Sequence, residues 1–482
     1  MNTATASNAL ARAEATGRHA WIVAALALVF AAAGAGYGIA LGEFQALWVA
    51  LAAAAGVAVL IDFRLGVIFL VALLPVSATG VFPRALMGIP GLNPINVLLA
   101  GALAAYLLRG RLEARGALLP RPLIWLYIVP IALAGLHGTL YFDDIYPMFF
   151  ERLAVEFTTW KGYLALSVVK PMLIVVAAIL IAAAVARAPR PEPYVGALAV
   201  GTCVLALVMF GLIIAAGVGI GELSSRRSRS FFTQFGTHAN ELGRIFVTAY
   251  ALLLFTWWET KHAASRLMLF AVLGIIGLGI VLTFSRNAWL GTLIVSALFL
   301  MWKFNAKKLA LALAGTAVAL ALAPQAVWRR LTYRFDTGSA DAVSAGRVEG
   351  IWTPLLPDAA QSPVWGSGLD SIMWSDALWG GAMDFVGHPH NAYLEALLDM
   401  GLVGLALLIA YYLHVWKGFR ALGSNAYLTP AMRGFFQGGC AALVAFAVAG
   451  MSGGSLRPDN ESIPLWIAIG IMYGVAARRP AS

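Results

Sequence analysis

Fourteen apolar stretches, separated by short polar connections, occupy most of this 482-residue chain. They run over 19–41, 45–61, 65–80, 94–109, 122–138, 164–186, 194–219, 240–258, 267–285, 287–302, 308–324, 394–416, 431–451 and 462–478. A membrane-spanning helix needs about 20 mostly apolar residues, and several of these stretches are shorter. We therefore predict an all-α, polytopic integral membrane protein with about 12 and at most about 14 transmembrane helices.

The composition supports a membrane class. Of all residues, 61% are hydrophobic and only 12% are charged, which excludes a soluble globular domain because lipid-facing surfaces must also be apolar. We attribute the net charge of +10 to lysines and arginines that set the membrane topology and contact lipid head groups, so no nucleic acid partner is expected. Cys203 and Cys440 lie inside apolar runs and predict buried thiols rather than metal ligands or a disulfide. No cleavage site compels a signal peptide, and the first apolar run should remain as an anchor.

Lysine and arginine predict the orientation. If the N-terminus is cytoplasmic, alternate short connections on that side are basic, as the positive-inside rule expects. These cations are Arg64, Arg109, Arg111, Arg115, Arg121, Arg187, Arg190, Lys261, Arg266, Lys303, Lys307, Lys308, Lys417, Arg420, Arg433, Arg478 and Arg479. Both termini then face the cytoplasm. The chain divides into an N-terminal helix bundle over 1–324, a large outer loop over 325–393 and C-terminal helices over 394–482.

The outer side carries more cations than topology requires. They are Arg152, Lys161, Arg226, Arg227, Arg229, Arg286, Arg329, Arg330, Arg334 and Arg347. Cations kept on this side predict an anionic ligand there, with anionic lipid head groups as the alternative. Asp143 and Asp144, also outside, are interpreted as a solvated turn rather than a metal site because no second acidic cluster of suitable type accompanies them.

His390 ends the large outer loop, directly before an apolar helix for which Asn391 is a good N-cap. An imidazole at a membrane surface can exchange protons near neutral pH. His388 lies two residues earlier, but no third ligand with zinc spacing follows, so we predict no metal. A hydrogen-bonded structural histidine is the alternative. Asn391, Glu395 and Asp399 form one polar stripe on the helix, in which Glu395 either orients the imidazole or an acceptor hydroxyl, or pairs with a neighbouring cation.

Two arginines complete the candidate site. Arg286 stands between two apolar runs with almost no loop, where a charge is costly enough to indicate a function, although a snorkelling arginine is the alternative. Its planar fork suits phosphate oxygens. Arg347 precedes Trp352 in the outer loop and the turn Pro363–Gly368 follows; an ordinary surface arginine is the alternative.

These segments together resemble the O-antigen ligase and polymerase superfamily of the Wzy-C type. The resemblance rests on His390-Asn391, nine further residues and then Gly401-x-x-Gly404, and on Thr283-x-Ser285-Arg286. It also includes Arg347-x-x-x-x-Trp352 with its Pro-x-x-Gly-x-Gly turn, and Phe235-Gly236-x-x-Asn240-Glu241, where Ala239 replaces the usual proline. By motif it covers about 220 to 410.

The resemblance implies an inner-membrane glycosyltransferase acting on a polysaccharide linked to undecaprenyl diphosphate. Its catalytic residues are then His390 as general base and Arg286 and Arg347 as pyrophosphate-binding residues, with Arg229, Asn391, Glu395, Arg152 and Lys161 as substrate contacts. No metal or other cofactor is expected, and direct attack would invert the anomeric carbon. Membrane lipids surround the protein.

A ligase transferring to lipid A-core oligosaccharide at the periplasmic face is preferred, because the chain ends soon after its last span. Polymerases and protein O-oligosaccharyltransferases of the superfamily remain alternatives. A transporter of lipid-linked glycans is the alternative from another class, and neither inverted repeats nor paired broken helices support it.

Overall fold

A computed structural model describes residues 62–82, 85–86, 89–91, 93–109, 120–152, 154–219, 222, 231–233, 236–304 and 346–478, with isolated positions between 305 and 345. The predicted spans over 19–41, 45–61 and 308–324 lie outside the described residues, as do Arg226, Arg227, Arg229, Arg329, Arg330 and Arg334.

The described chain is almost entirely helical. Its helices are α1 (Phe63–Leu73), α2 (Pro94–Arg109), α3 (Arg121–Asp144), α4 (Trp160–Arg187), α5 (Glu192–Ala215), α6 (Ala239–Glu259), α7 (Ala263–Leu282), α8 (Arg286–Lys303), α9 (Thr353–Gln361), α10 (Ala392–Gly423), α11 (Pro430–Gly450) and α12 (Ile463–Ala476). Two-residue strands, β1 (Ala85–Leu86) and β2 (Ile89–Pro90), pair antiparallel between α1 and α2. In chain order, every predicted span in the described residues overlaps one of these helices, although α1 ends at Leu73 and covers only the first part of the span predicted over 65–80.

Six of these helices, α3, α4, α5, α7, α10 and α11, are long and apolar enough to cross a membrane. The apolar helices α1 and α2 are shorter. The prediction of an all-helical protein with several membrane-length helices is therefore confirmed. The total number of spans and the three-part division of the chain stay predictions.

Small residues let the central helices approach closely. Helix α6 packs along α11, and α12 packs along α4. A Cβ added at Gly434 would lie 2.3 Å from the Phe255 carbonyl oxygen, and one at Gly470 would lie 2.6 Å from that of Ala178. These contacts resemble the packing of small residues between membrane helices, where van der Waals contact replaces hydrophobic burial.

The two sets of predicted connections lie at opposite ends of the bundle. At one end, Arg64 donates to the Arg187 carbonyl oxygen (3.3 Å), Arg478 donates to that of Ala188, and Thr429 donates to Glu192. At the other end, the Tyr146 N–H donates to the Met373 carbonyl oxygen (2.9 Å), and Arg347 donates to that of Ser452. The contacts therefore agree with the alternation of inner and outer connections. Which end faces the periplasm stays a prediction.

The loop that precedes the histidines packs against a break in α10. Gly401 has φ 64° and ψ −169°, a conformation essentially reserved for glycine, and it interrupts the helix. The freed N–H groups of Leu402 and Val403 donate to the carbonyl oxygens of Pro363 (2.8 Å) and Val364 (3.2 Å). On the other side of the break, Ser367 and Gly368 donate to the carbonyl oxygens of Leu398 and Asp399. This exchange of backbone bonds fixes the loop against the bundle.

Candidate active site

The start of α10 holds His390 in place. Asn391 caps the helix, and its Oδ1 accepts from the N–H groups of Tyr393 (3.0 Å) and Leu394 (3.2 Å). His390 therefore lies just before the helix, with φ at 54°. Its N–H donates to Nδ1 of His388 (3.1 Å), and the two ring centroids are 4.2 Å apart.

The segment from Arg347 to Trp352 fastens this loop. It forms a helical turn over Val348–Trp352, and the Trp352 indole N–H donates to the Pro389 carbonyl oxygen (2.8 Å) between the two histidines. At the start of the turn, Arg347 Nη1 donates to the Ser452 carbonyl oxygen (2.6 Å). One short segment thus fixes the histidine loop and brings a guanidinium group to it.

Both histidines are held in the neutral form. Burial lowers the pKa of His390 to about 3, and the nearby His388, Arg347 and Arg244 act in the same direction. Burial, Arg244 and Arg347 likewise lower the pKa of His388 to about 4. A neutral imidazole keeps a lone pair that can accept a proton, which a general base requires.

Arg286 is placed by the cap of α8. Ser285 is the N-cap residue; its Oγ accepts from the Ala288 N–H (3.4 Å) and donates to Asn240 Oδ1 (2.8 Å) in the first turn of α6. Burial, Arg244 and Arg286 together lower the pKa of Arg347. Arg347 therefore lies close enough to both Arg244 and Arg286 for their charges to act on it, and Arg347 and Arg244 also act on His390. An anion would stabilise this arrangement.

A cleft adjoins these cations. Arg244 and Asn287 line it at the outer ends of α6 and α8, and Val247, Gly291 and Phe446 line it one turn or more deeper. Glu461 pairs with Arg244 at the same cleft. The cleft is therefore polar at its outer end and apolar within the bundle.

The remaining predicted site residues lie in different environments, some buried and some exposed. Glu395 is only 8% exposed and its Oε1 accepts from Arg457 Nη2 (2.6 Å), so it is an ion-pair partner inside the bundle. The exposed Arg152 lies over the Phe385 ring (5.0 Å), in the loop that leads to the histidines. Lys161 lies over the adjacent Trp160, and no contact between described residues joins it to His390. Asp143 and Asp144 are exposed, and the two cysteines are free.

Sequence reasoning missed Arg244, Arg457 and Glu461. Arg244 lies in the first turns of a predicted span, and the other two lie in the short link between the last two spans. An intramembrane charge is costly, so Arg244 was detectable in principle by the argument applied to Arg286. The link combines Arg457, Asp459 and Glu461 in five residues between two apolar spans, which is also a signal.

Comparison with known proteins identifies one family. Residues 267–409 match the family Wzy_C, described as O-antigen ligase. The match begins in α7 and ends in α10, and it includes Arg286, Arg347 and His390. The superfamily resemblance is therefore confirmed over this part of the chain. No curated protein matches the chain.

Proposed function

Because residues 267–409 form a domain of the O-antigen ligase (Wzy_C) family, we propose that this protein is a lipopolysaccharide O-antigen ligase of the bacterial inner membrane. In this proposal it transfers O-antigen polysaccharide from undecaprenyl diphosphate to lipid A-core oligosaccharide at the periplasmic face. The observation that carries the proposal is the neutral imidazole of His390 beside the guanidinium group of Arg347.

His390 acts as the general base. It accepts the proton of an acceptor sugar hydroxyl while that oxygen attacks the anomeric carbon of the donor. The new C–O bond forms as the bond from the anomeric carbon to the diphosphate oxygen breaks, so the anomeric configuration inverts. A positioned base of this kind contributes typically 10² to 10⁴ in rate.

The arginines stabilise the leaving diphosphate. Arg286 and Arg347 present planar forks that match phosphate oxygens, and they supply positive charge where negative charge develops. A metal ion is therefore not required for this task. The bound diphosphate would also offset the positive charges that lower the pKa of His390, so the base becomes stronger once the donor is in place.

The cleft beside Arg244 supports a lipid-linked donor. Its polar outer end suits a diphosphate, and its apolar inner lining of Val247, Ala445 and Phe446 suits a polyprenyl chain. Binding the chain within the bundle would place the first sugar at the outer surface, near His390. The substrate roles of Asn391, Glu395, Arg152, Lys161 and Arg229 belong to the same proposal.

Orientation has its own test. Trp365 and Tyr427 are 69% and 96% exposed and lie at opposite ends of the bundle. In a chain without Cys203 and Cys440, a membrane-impermeant thiol reagent added to intact spheroplasts should label Trp365→Cys and not Tyr427→Cys. The opposite labelling would place the candidate active site in the cytoplasm.

The reaction is tested by reconstitution. Purified protein is mixed with undecaprenyl-diphosphate-linked glycan and lipid A-core, and the products are separated on a gel. A ladder on lipid A-core supports the ligase. Longer lipid-linked glycan with bare core indicates a polymerase, and glycan on protein serine or threonine indicates an oligosaccharyltransferase. Movement of the donor across the bilayer without a new glycosidic bond would favour a transporter.

A further inference from the structure

A buried acid cluster lies beneath the candidate active site, and of its members only Glu395 has been given a role above, as a substrate contact. It consists of Asp370, Glu395 and Asp399, with Arg457 among them. One carboxylate oxygen from each acid lies within 4.8 Å of the others. Arg457 Nη2 is 2.7 Å from Asp370, 2.6 Å from Glu395 and 3.8 Å from Asp399.

Two carboxylate oxygens of the cluster lack a hydrogen-bond donor. Asp370 accepts from Ser167 and Arg457, and Asp399 Oδ1 accepts from the N–H (3.1 Å) and the hydroxyl (2.9 Å) of Ser371. In contrast, Asp399 Oδ2 is buried without a hydrogen-bond partner among the described residues, and Glu395, whose Oε2 also lacks one, has the Ser455 hydroxyl nearby. Asp399 is 2% exposed. Burying an unpaired carboxylate oxygen is costly, and a proton between two such oxygens removes the cost.

The charges of the cluster do not balance. Three ionised carboxylates and one guanidinium leave two negative charges uncompensated in the interior. Burial alone would raise the pKa of Asp370, but Arg457 and Ser167 hold it below its usual range, so Asp370 stays ionised. The uncompensated negative charge therefore lies on Glu395 and Asp399, which are one turn apart on α10. Because Arg457 already occupies the space among the acids and repels a second cation, a proton is the favoured neutralising species.

A small cavity joins the acid cluster to the histidines. It is lined by His388, Asp370, Glu395 and Asp399. His388 in turn lies against His390, with 4.2 Å between ring centroids. A proton accepted by His390 therefore has a polar route inward, away from the cations at the surface.

We propose that Glu395 and Asp399 share a proton at neutral pH and form a proton-exchange site for His390, reached through His388 and the cavity. The shared proton follows from the buried cluster alone. The exchange with His390 rests on the proposed function.

With one shared proton, three carboxylates and Arg457, the acid cluster carries a net charge of −1. During transfer the acceptor O–H bond breaks and its proton moves to His390. The imidazolium then gives that proton to Glu395 and Asp399, and the net charge of the cluster becomes zero. Release of the proton to solvent restores both His390 and the cluster.

Charged and titratable groups face this pair from each side. Arg457 and Asp459 approach from the link before α12, Tyr163 from α4, and Asp370 and His388 from the outer loop. Burial raises the pKa of Asp459 to about 6, and of these groups Arg457 supplies the fixed positive charge. Removal of Arg457 would leave the acids unpaired, so it is unsuitable as a test.

The shared proton can be measured without activity. A protonated carboxylic acid has an infrared C=O stretch distinct from that of a carboxylate. We expect wild-type protein in lipid at neutral pH to show such a band, Asp399→Asn and Glu395→Gln each to remove or shift it, and the exposed control Asp376→Asn to leave it unchanged. Both test substitutions keep an oxygen that accepts from Ser371 or Arg457. Absence of the band, or one stoichiometric tightly bound cation in its place, would overturn the proposal.

The exchange step is tested by rescue. In the reconstituted reaction, the double variant Glu395→Gln with Asp399→Asn should slow transfer by roughly 10-fold. Added imidazole buffer should restore it by taking the proton from His390, which a purely structural defect would not allow. Transfer at the wild-type rate, or a slow variant that imidazole does not restore, overturns the exchange role. If wild-type protein transfers nothing, the proposed function fails, and the infrared result still decides whether the acids share a proton.

Discussion

The imidazole of His390 determines how the reaction should depend on pH. Its pKa is lowered to about 3 by burial and nearby positive charges, so in the free enzyme it stays neutral well below the ordinary value of about 6.5. We expect kcat/KM, which reports on the free enzyme, to show no protonation step near pH 6.5. Initial rates of conjugate formation between about pH 5 and 8 measure this. A fall in kcat/KM as pH drops through 6.5 would show that His390 titrates normally.

At Arg286 and Arg347, the contribution of bidentate hydrogen bonding to catalysis can be measured separately from the contribution of positive charge. Lysine at either position keeps the charge and loses bidentate geometry. We expect each of Arg286→Lys and Arg347→Lys to lower kcat by roughly 100-fold, as removal of a transition-state donor does elsewhere. The exposed Arg266, which lies over Trp257, gives the matched control Arg266→Lys with unchanged rate. Near-wild-type activity of both test variants would mean that point charges suffice.

At the scale of the helix, Gly401 is required by the break in α10. A Cβ there would lie 2.3 Å from the Val364 carbonyl carbon, and the backbone has φ at 64°. We expect Gly401→Ala to destabilise the protein by about 2 kcal/mol or more, because strain and overlap act together. Thermal unfolding in detergent measures the change. Gly211→Ala is the control, since its added Cβ meets nothing within 4 Å. Equal melting temperatures for both variants would show that the break is not needed.

The Trp352 indole anchors the histidine loop through one hydrogen bond. Trp352→Phe keeps a ring but removes the donor to the Pro389 carbonyl oxygen. Loss of one such bond costs about 1 kcal/mol, and a displaced base costs rate as well, so we expect kcat to fall by about 10-fold with KM little changed. Trp379→Phe removes a comparable bond to the Asp144 carbonyl oxygen at an exposed position and should have no effect. Equal kinetics for the two variants would contradict the anchoring role.

Across the whole molecule, the sequence predicted where the helices lie better than which helices pack against one another. The spans could be located because a lipid-facing helix must be apolar along its length, and Asn391 identified the start of α10 by its capping chemistry. Arg286 was predicted as a site residue because it breaks an apolar context, whereas His390 and Arg347 were predicted from their places in the outer loop and from the family motifs. The proximity of Arg244 and the ion pairs of Arg457 depend on how α6, α10 and α12 pack together, and one sequence carries no information on that. Glu395 was found, but its burial against Arg457 could not be inferred for the same reason.

Transfer by His390 among the arginines should need no metal ion, and a comparison of wild type with His390→Ala under chelation measures both requirements. Wild-type protein and His390→Ala are reconstituted with lipid-linked glycan and lipid A-core in excess chelator, with His262→Asn as the exposed histidine control. We predict conjugate with wild type and with the control, and none with His390→Ala although it folds. Conjugate formation by His390→Ala would show that His390 is not the base, and wild-type activity that a chelator abolishes and a divalent ion restores would show that transfer requires a metal ion.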